Sequence, residues 1–212
     1  DGGCPVLLTE PQSTNLITDS NDFTKWSANG TPIITSNYGI SPDGSQNSSR
    51  LELDNNDRIY SLMSASGDIT FSVYLKGSGV VTLRDNTNTY RQDVTLTSEW
   101  ARYNLSFNAT IASVQIQNQT ASIVDCEIYG AQVEELSYST SLIPTYGAVR
   151  TRLQDSVTGA GTSSDFNSTE GVLFAQIQGL TDGGANRFIS LGDGTSVNSI
   201  GLYLNLNLGR IS

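Results

Sequence analysis

The chain has 212 residues, with 15% charged and 37% hydrophobic, a net charge of −10, two cysteines and no histidine. Its length allows one large β-sandwich, or one domain and part of another. So acidic a surface repels phosphate backbones and anionic membranes, which argues against nucleic acid and membrane partners, and the lack of histidine removes the commonest general base and metal ligand. The Val, Ile, Phe and Tyr content sets the chain apart from a disordered polymer. Its apolar runs are strand-sized, too short to span a bilayer as a helix, so no membrane insertion is expected. The chain starts at Asp1, and both ends look cut from something longer.

Short alternating runs between Gly, Asn, Asp and Ser predict an all-β chain. Residues 1–20 read as an entry segment or connector, with apolar Cys4 to Leu8 as a short entry strand or connector. Phe23 and Trp26 follow in a loop-rich stretch, where they are expected to cover one end of a sandwich. Phe71, Val73 and Leu75 alternate with Ser72, Tyr74 and Lys76, and Gly77-Ser78-Gly79 then suggests a hairpin into Val81 and Leu83. Val94 and Leu96 form the next strand, and Tyr103, Leu105 and Phe107 another, with Trp100 and Tyr103 expected in the core. Ile111, Val114 and Ile116 follow, and residues 123–133 are expected to be the longest strand. Residues 21–146 thus form one sandwich domain. The polar segment 147–169 reads as a linker, and residues 170–212 as the start of a second sandwich with strands at 171–177, 187–191 and 200–208. Three such strands are too few for an independent core.

Several groups could carry chemistry. Cys126 shares a strand face with Val124 and Ile128, which reads as core; a disulfide between Cys4 and Cys126 is the alternative. Adjacent Glu134 and Glu135 point to opposite faces of a strand, so they cannot flank one glycosidic bond. Asp125, Glu127 and Tyr129 share the polar face of their strand, where they could line a groove. Tyr74 and Tyr129 are placed opposite the core faces of their strands, and with Trp26 they are candidates for stacking on the C–H face of a sugar. Neither Gly159-Ala160-Gly161 nor Asp193-Gly194-Thr195 is a phosphate loop, and no Gly-x-Ser-x-Gly elbow occurs, so the chain is not expected to be an enzyme. Six Asn-x-Ser/Thr sequons, at Asn29, Asn47, Asn104, Asn108, Asn118 and Asn167, are attributed to the Asn-, Ser- and Thr-rich composition.

The stretches CPVLLTEPQSTNLITDSNDFTKW, SPDGSQNSSRLEL, ITFSVYLKGSG, EWARYNLSF and IYGAQVEELSYSTSLIPT, in that order across residues 4–145, resemble the carbohydrate-binding-module-like jelly-roll domain of phage tail fibres and other virion structural proteins. STEGVLFAQIQGL followed by RFISLGDGTSVNSIGLYL is similar to the opening strands of a concanavalin A-like (laminin-G-like) sandwich. The resemblance implies a jelly-roll β-sandwich followed by a partial second β-sandwich, in a structural module of a virion appendage such as a tail fibre or spike. It implies a virion-surface or extracellular location and assembly with copies of itself, as a symmetric oligomer such as a trimer, and with other virion proteins. Contact with a host-surface glycan through Tyr74, Tyr129, Trp26, Asp125 and Glu127 would follow, along with a structural calcium ion on Asp22, Asp125 and Glu134 as the only cofactor considered. The alternatives are a carbohydrate-binding module of a larger polysaccharide-degrading enzyme and a segment of a bacterial surface adhesin.

Overall fold

The computed structural model describes residues 8–156, 187–192, 199–205 and 210–211. The chain divides into two units, Asp1–Asp155 and Ser156–Ser212. The described residues are almost entirely strand and loop, with one single-turn 3-10 helix at Phe23–Lys25; none forms a helix long and apolar enough to cross a membrane.

Two strands organise the first unit. β5, Arg58–Ser78, has 21 residues and β8, Ala101–Gln117, has 17. They pair antiparallel from Arg58↔Gln117 to Leu75↔Ala101, with a register shift between Leu62 and Ala65. The first half of β5 takes β2 (Ser27–Asn29) on its other edge, and its second half takes β9 (Val124–Glu134). Beyond β9 lie β4 (Ser49–Leu53) and then β3 (Ile33–Thr35). The second half of β8 takes β6 (Val80–Asp85), and β6 takes β7 (Arg91–Thr95). One antiparallel sheet thus curls into two leaves, β3-β4-β9-β5-β8 and β2-β5-β8-β6-β7, which share the two long strands. A bulge bends a strand and increases its local twist, and the shift after Leu62 lies where the two halves of β5 part company.

The inner faces form the core. Leu51, Phe71, Val73, Leu75, Val124, Cys126 and Ile128 come from the first leaf, and Ile59, Val81, Leu83, Val114 and Ile116 from the second. Ile17, Phe23 and Trp26 close it from the stretch that precedes β2. Burying each large side chain contributes about 1.5–3 kcal/mol, the main driving force for the curl.

Three features differ from the sequence expectation. β5 and β6 are not a hairpin: β8 lies between them, and Gly77-Ser78-Gly79 carries the chain from one leaf to the other. The strand of residues 123–133 exists as β9, but β5 and β8 are longer, because the polar stretches inside them stay paired across both leaves. The leading connector is also built in. β1 (Ser13–Asn15) pairs with β10 (Arg150–Arg152), with Thr14 and Thr151 hydroxyls 2.7 Å apart and Arg152 on Glu10 at 2.6 Å.

In the second unit, β11 (Arg187–Gly192), β12 (Ser199–Asn205) and β13 (Arg210–Ile211) form an antiparallel meander. The strand expected at 171–177 lies outside the described residues.

Phe71 is fully buried where the two leaves share β5. Phe71→Ala should lower the unfolding free energy by about 3–5 kcal/mol in urea denaturation, with the m-value unchanged.

Candidate functional site

The outer face of the first leaf gathers most of the expected site residues. Cross-strand register sets Tyr74 opposite Tyr129 and Arg102, Lys76 opposite Glu127, and Glu127 opposite Arg50. Lys76 Nζ lies 2.8 Å from Glu127, and Arg50 grips both oxygens of Asp125 at 2.9 and 2.7 Å while reaching Glu52 at 3.0 Å. The Arg50 fork holds the Asp125 carboxyl below its ordinary range. The Tyr74 and Tyr129 rings are tilted with centroids 6.2 Å apart, and the Arg102 guanidinium lies 5.4 Å from the Tyr74 centroid. Trp100, expected in the core, stands on this face instead, with Lys76 5.4 Å from its ring and its indole N–H donated to the Ile40 carbonyl. Tyr74, Tyr129, Asp125 and Glu127 thus share one face, but their polar groups and rings are largely engaged by Arg50, Lys76, Ser48, Asp43 and Arg102.

The loop of residues 36–48 roofs this face. Gly39 makes the approach possible, because a Cβ there would lie 2.2 Å from Glu127 Oε2. Ser48 Oγ donates to the same oxygen at 2.8 Å. Asp43 is the hub of the loop, accepting from Ser41 Oγ, the Ser45 N–H, Asn47 Nδ2 and, at 2.8 Å, the Tyr129 hydroxyl. These donors, the Asn47 amide first, hold the Asp43 carboxyl well below the usual carboxylate range. Burial and the Asp43 charge push the Tyr129 phenol up to about 12. Gly130, at φ +61°, makes the bulge in β9 after Tyr129, and Leu142 lies 2.7 Å from where its Cβ would be. Tyr129 is buried although alternation sets it on the outer face, with its hydroxyl on Asp43 of the loop that roofs that face.

Beside the roof runs an open groove of about 390 Å³. Asn21, Asp22 and Thr24 form one side, Asn37 and Asn47 the other, and Tyr146 also lines it. Tyr146 is 69% exposed, with Arg150 5.5 Å from its ring centroid. Asn47 Oδ1 is buried and accepts from no donor, although its amide nitrogen donates to Asp43. Asn21 Oδ1 accepts from the Gly130 N–H, which ties the groove to the Tyr129 bulge. Of these residues the sequence marks only Asp22 as a candidate ligand, and Asn47 only as a sequon. The Ser-Pro-Asp-Gly run at 41–44 signals the turn but not what the turn packs against.

Other expected site residues are placed differently. Trp26 is in the core, 5.2 Å from the Phe23 ring with its N–H donated to the Asp19 carbonyl, so it offers no ring face to a ligand. Asp22, Asp125 and Glu134 do not converge. Asp22 caps Thr24, Asp125 is held by Arg50, and buried Glu134 accepts from Ser13 Oγ and from the N–H and hydroxyl of Thr140. Among the described residues no three His, Cys, Asp or Glu side chains come together around a metal position, so this trio is not a calcium cage. Cys126 is a buried thiol pushed up to about 12 by desolvation, and Cys4 lies outside the described residues. The Asn118 sequon is no acceptor in this fold, because its side chain is buried and donates to the Leu53 and Ser122 carbonyls.

No family model matches the chain, and no curated protein matches it. Solved structures similar to part of it include the enzymatically active domain of bacteriophage CBA120 tailspike protein 4, at 10% identity and a TM-score of 0.42. That match covers 56% of this chain and 21% of the tailspike domain, so the chain spans about a fifth of it. A mutant carbohydrate binding module of family 29 aligns over 58% of this chain and 92% of its own, at 10% identity and a TM-score of 0.43. The family 11 carbohydrate-binding module from Clostridium thermocellum, in complex with a β-1,3-1,4-mixed-linked tetrasaccharide, aligns over 63% and 97%, at 10% identity and a TM-score of 0.36.

Tyr129→Phe removes the hydroxyl that ties the roof to the sheet and should lower the unfolding free energy by about 1 kcal/mol. A carboxylate whose folded pKa is depressed stabilises above its unfolded value and loses that effect as pH falls. The gap between wild type and Tyr129→Phe should therefore be full above about pH 4 and narrow on further acidification, as read by urea denaturation across the acid range.

Proposed function

We propose that the first unit is a non-catalytic glycan-binding module of an extracellular or virion-surface appendage, and that saccharide binds in the groove between Asn21, Asp22, Asn47 and Tyr146. The observation that carries this reading is the pairing of an exposed tyrosine with a wall of amides and a carboxylate in one open groove. A pyranose presents hydroxyls around its rim and C–H bonds on its faces. Amide and carboxylate groups satisfy the first, and an aromatic ring packs on the second. The buried, partnerless Asn47 Oδ1 is an acceptor that a sugar hydroxyl would fill. Binding through so open a groove is weak per site, and symmetric assembly of the appendage would raise it by avidity. The resemblance of residues 4–145 to jelly-roll modules of virion fibres supports the setting.

The test is an array of neutral and acidic glycans probed with the intact chain, followed by calorimetry on any hit. Tyr146→Ala and Asn47→Ala should each weaken binding by about fivefold to tenfold, while Leu62→Ala, on an exposed residue of the other leaf, should leave it unchanged. Absence of any saturable glycan hit at high surface density would sink this reading.

A further inference from the structure

The outer face of the second leaf carries a different chemistry. Register sets Arg58 opposite Gln117, Tyr60 opposite Gln115, Gln115 opposite Arg84, and Arg84 opposite Arg91. Three arginines thus share one face of a chain that has 11 basic residues against 21 acidic ones. Like charges directly across a strand pair destabilise a sheet, so the cluster needs a reason. The other cations of this unit that face carboxylates are paired closely: Arg50 with Asp125, Lys76 with Glu127 and Arg152 with Glu10. Arg58 has no carboxylate partner among the described residues, and its Nε is buried without an acceptor. Arg84 donates to Gln117 Oε1 at 2.7 Å and to the Asp85 carbonyl at 3.3 Å, both uncharged acceptors. Asp93, the one carboxylate that the register puts on this face, is 3.6 Å from Arg91 and accepts from Thr82 at 2.6 Å. Burial and then the neighbouring Arg58 charge lower the Arg84 pKa, with the Asp85 charge opposing them.

A second observation is independent of the charges. Gln115 is 7% exposed, its amide nitrogen donates to Ser113 Oγ, and its Oε1 is buried with no donor. Beside it stands half-buried Tyr60. Arg58 and Arg84 therefore have no ion-paired carboxylate among the described residues, the Gln115 amide oxygen lacks a hydroxyl, and the face carries an aromatic ring. A bare inorganic anion meets only the first need. A neutral sugar meets only the other two.

We propose that this face is a second binding site, for an acidic saccharide, with a sugar carboxylate between Arg58 and Arg84, a ring hydroxyl donating to Gln115 Oε1, and a pyranose face against Tyr60. The forked guanidinium groups suit a planar carboxylate. The site lies on the opposite leaf from the groove of Asn21, Asn47 and Tyr146, so either can fail without the other.

The test is calorimetry of the intact chain with an oligogalacturonate, with the same oligosaccharide after its carboxyls are reduced to alcohols, and with inorganic sulfate. The oligogalacturonate should bind, weaken with added salt, and lose roughly tenfold or more on carboxyl reduction. Arg58→Gln should weaken it by roughly tenfold at an unchanged unfolding midpoint, because Arg58 has no partner to lose. Arg84→Lys, which keeps the charge and loses the fork, should also weaken it, whereas Lys25→Gln, an equal change of charge on an exposed turn, and Tyr146→Ala should not. Equal affinity for the carboxyl-reduced oligosaccharide, an Arg58→Gln variant that binds like wild type, or no saturable binding overturns the proposal. Sulfate binding as tightly as the oligosaccharide would leave a bare anion site and overturn the saccharide assignment.

Discussion

The antiparallel ladder between β5 and β8 is the constraint on which the rest of this unit depends. It runs from Arg58↔Gln117 to Leu75↔Ala101 and passes through both leaves, so neither leaf exists without it. Each leaf then adds strands to whichever edge of the ladder is free: β9 and β4 on one, β6 and β7 on the other. Because the same two strands supply Tyr74 and Arg102 to one outer face and Tyr60 and Gln115 to the other, both surfaces inherit their spacing from one set of backbone hydrogen bonds. A change in the register of that ladder would disturb both at once.

A buried polar cluster locks the leading segment onto this scaffold. Asn15 donates to the Ala131 and Ile143 carbonyls and accepts from the Ile17 and Val133 N–H groups. Gln132 Oε1 accepts from the Ile143 N–H at 2.6 Å, and Glu134 is ringed by donors from Ser13 and Thr140. Buried polar groups are costly unless satisfied, and here they specify which backbone lies beside β9. The 140–145 segment and the leading segment therefore belong to the module as firmly as its strands do.

Much of the β architecture was legible because period-2 alternation survives wherever one face is buried. Phe71, Val73 and Leu75, or Val124, Cys126 and Ile128, could be assigned to the core by pattern alone. The pattern misled where bulges change its phase. Ile111 and Val114 are three residues apart and yet both buried, which a flat strand cannot do; the register shift opposite them, between Leu62 and Ala65, resolves it. The bulge at Gly130 does the same between Ile128 and Val133, five residues apart and both buried. The candidate groove was less legible, since Asn21, Asn37, Asn47 and Tyr146 lie far apart in sequence on loops that carry no periodic signal. Only the fold of the 36–48 loop over β9 brings them together. The arginine face escaped notice for a related reason: Arg58, Arg84 and Arg91 are scattered along the chain, and only register reveals that they are neighbours.

The pairing of β1 with β10 brings the start and the end of this unit side by side. The Glu10 N–H donates to the Asp155 carboxylate at 2.9 Å, and the Asp155 N–H donates back to the Glu10 carbonyl at 3.0 Å. The chain thus comes in and goes out at touching points, and the sandwich between them is a closed excursion of the backbone. Tension between those two points would peel the short clasp one bond at a time and leave the β5–β8 ladder unloaded until the clasp had opened.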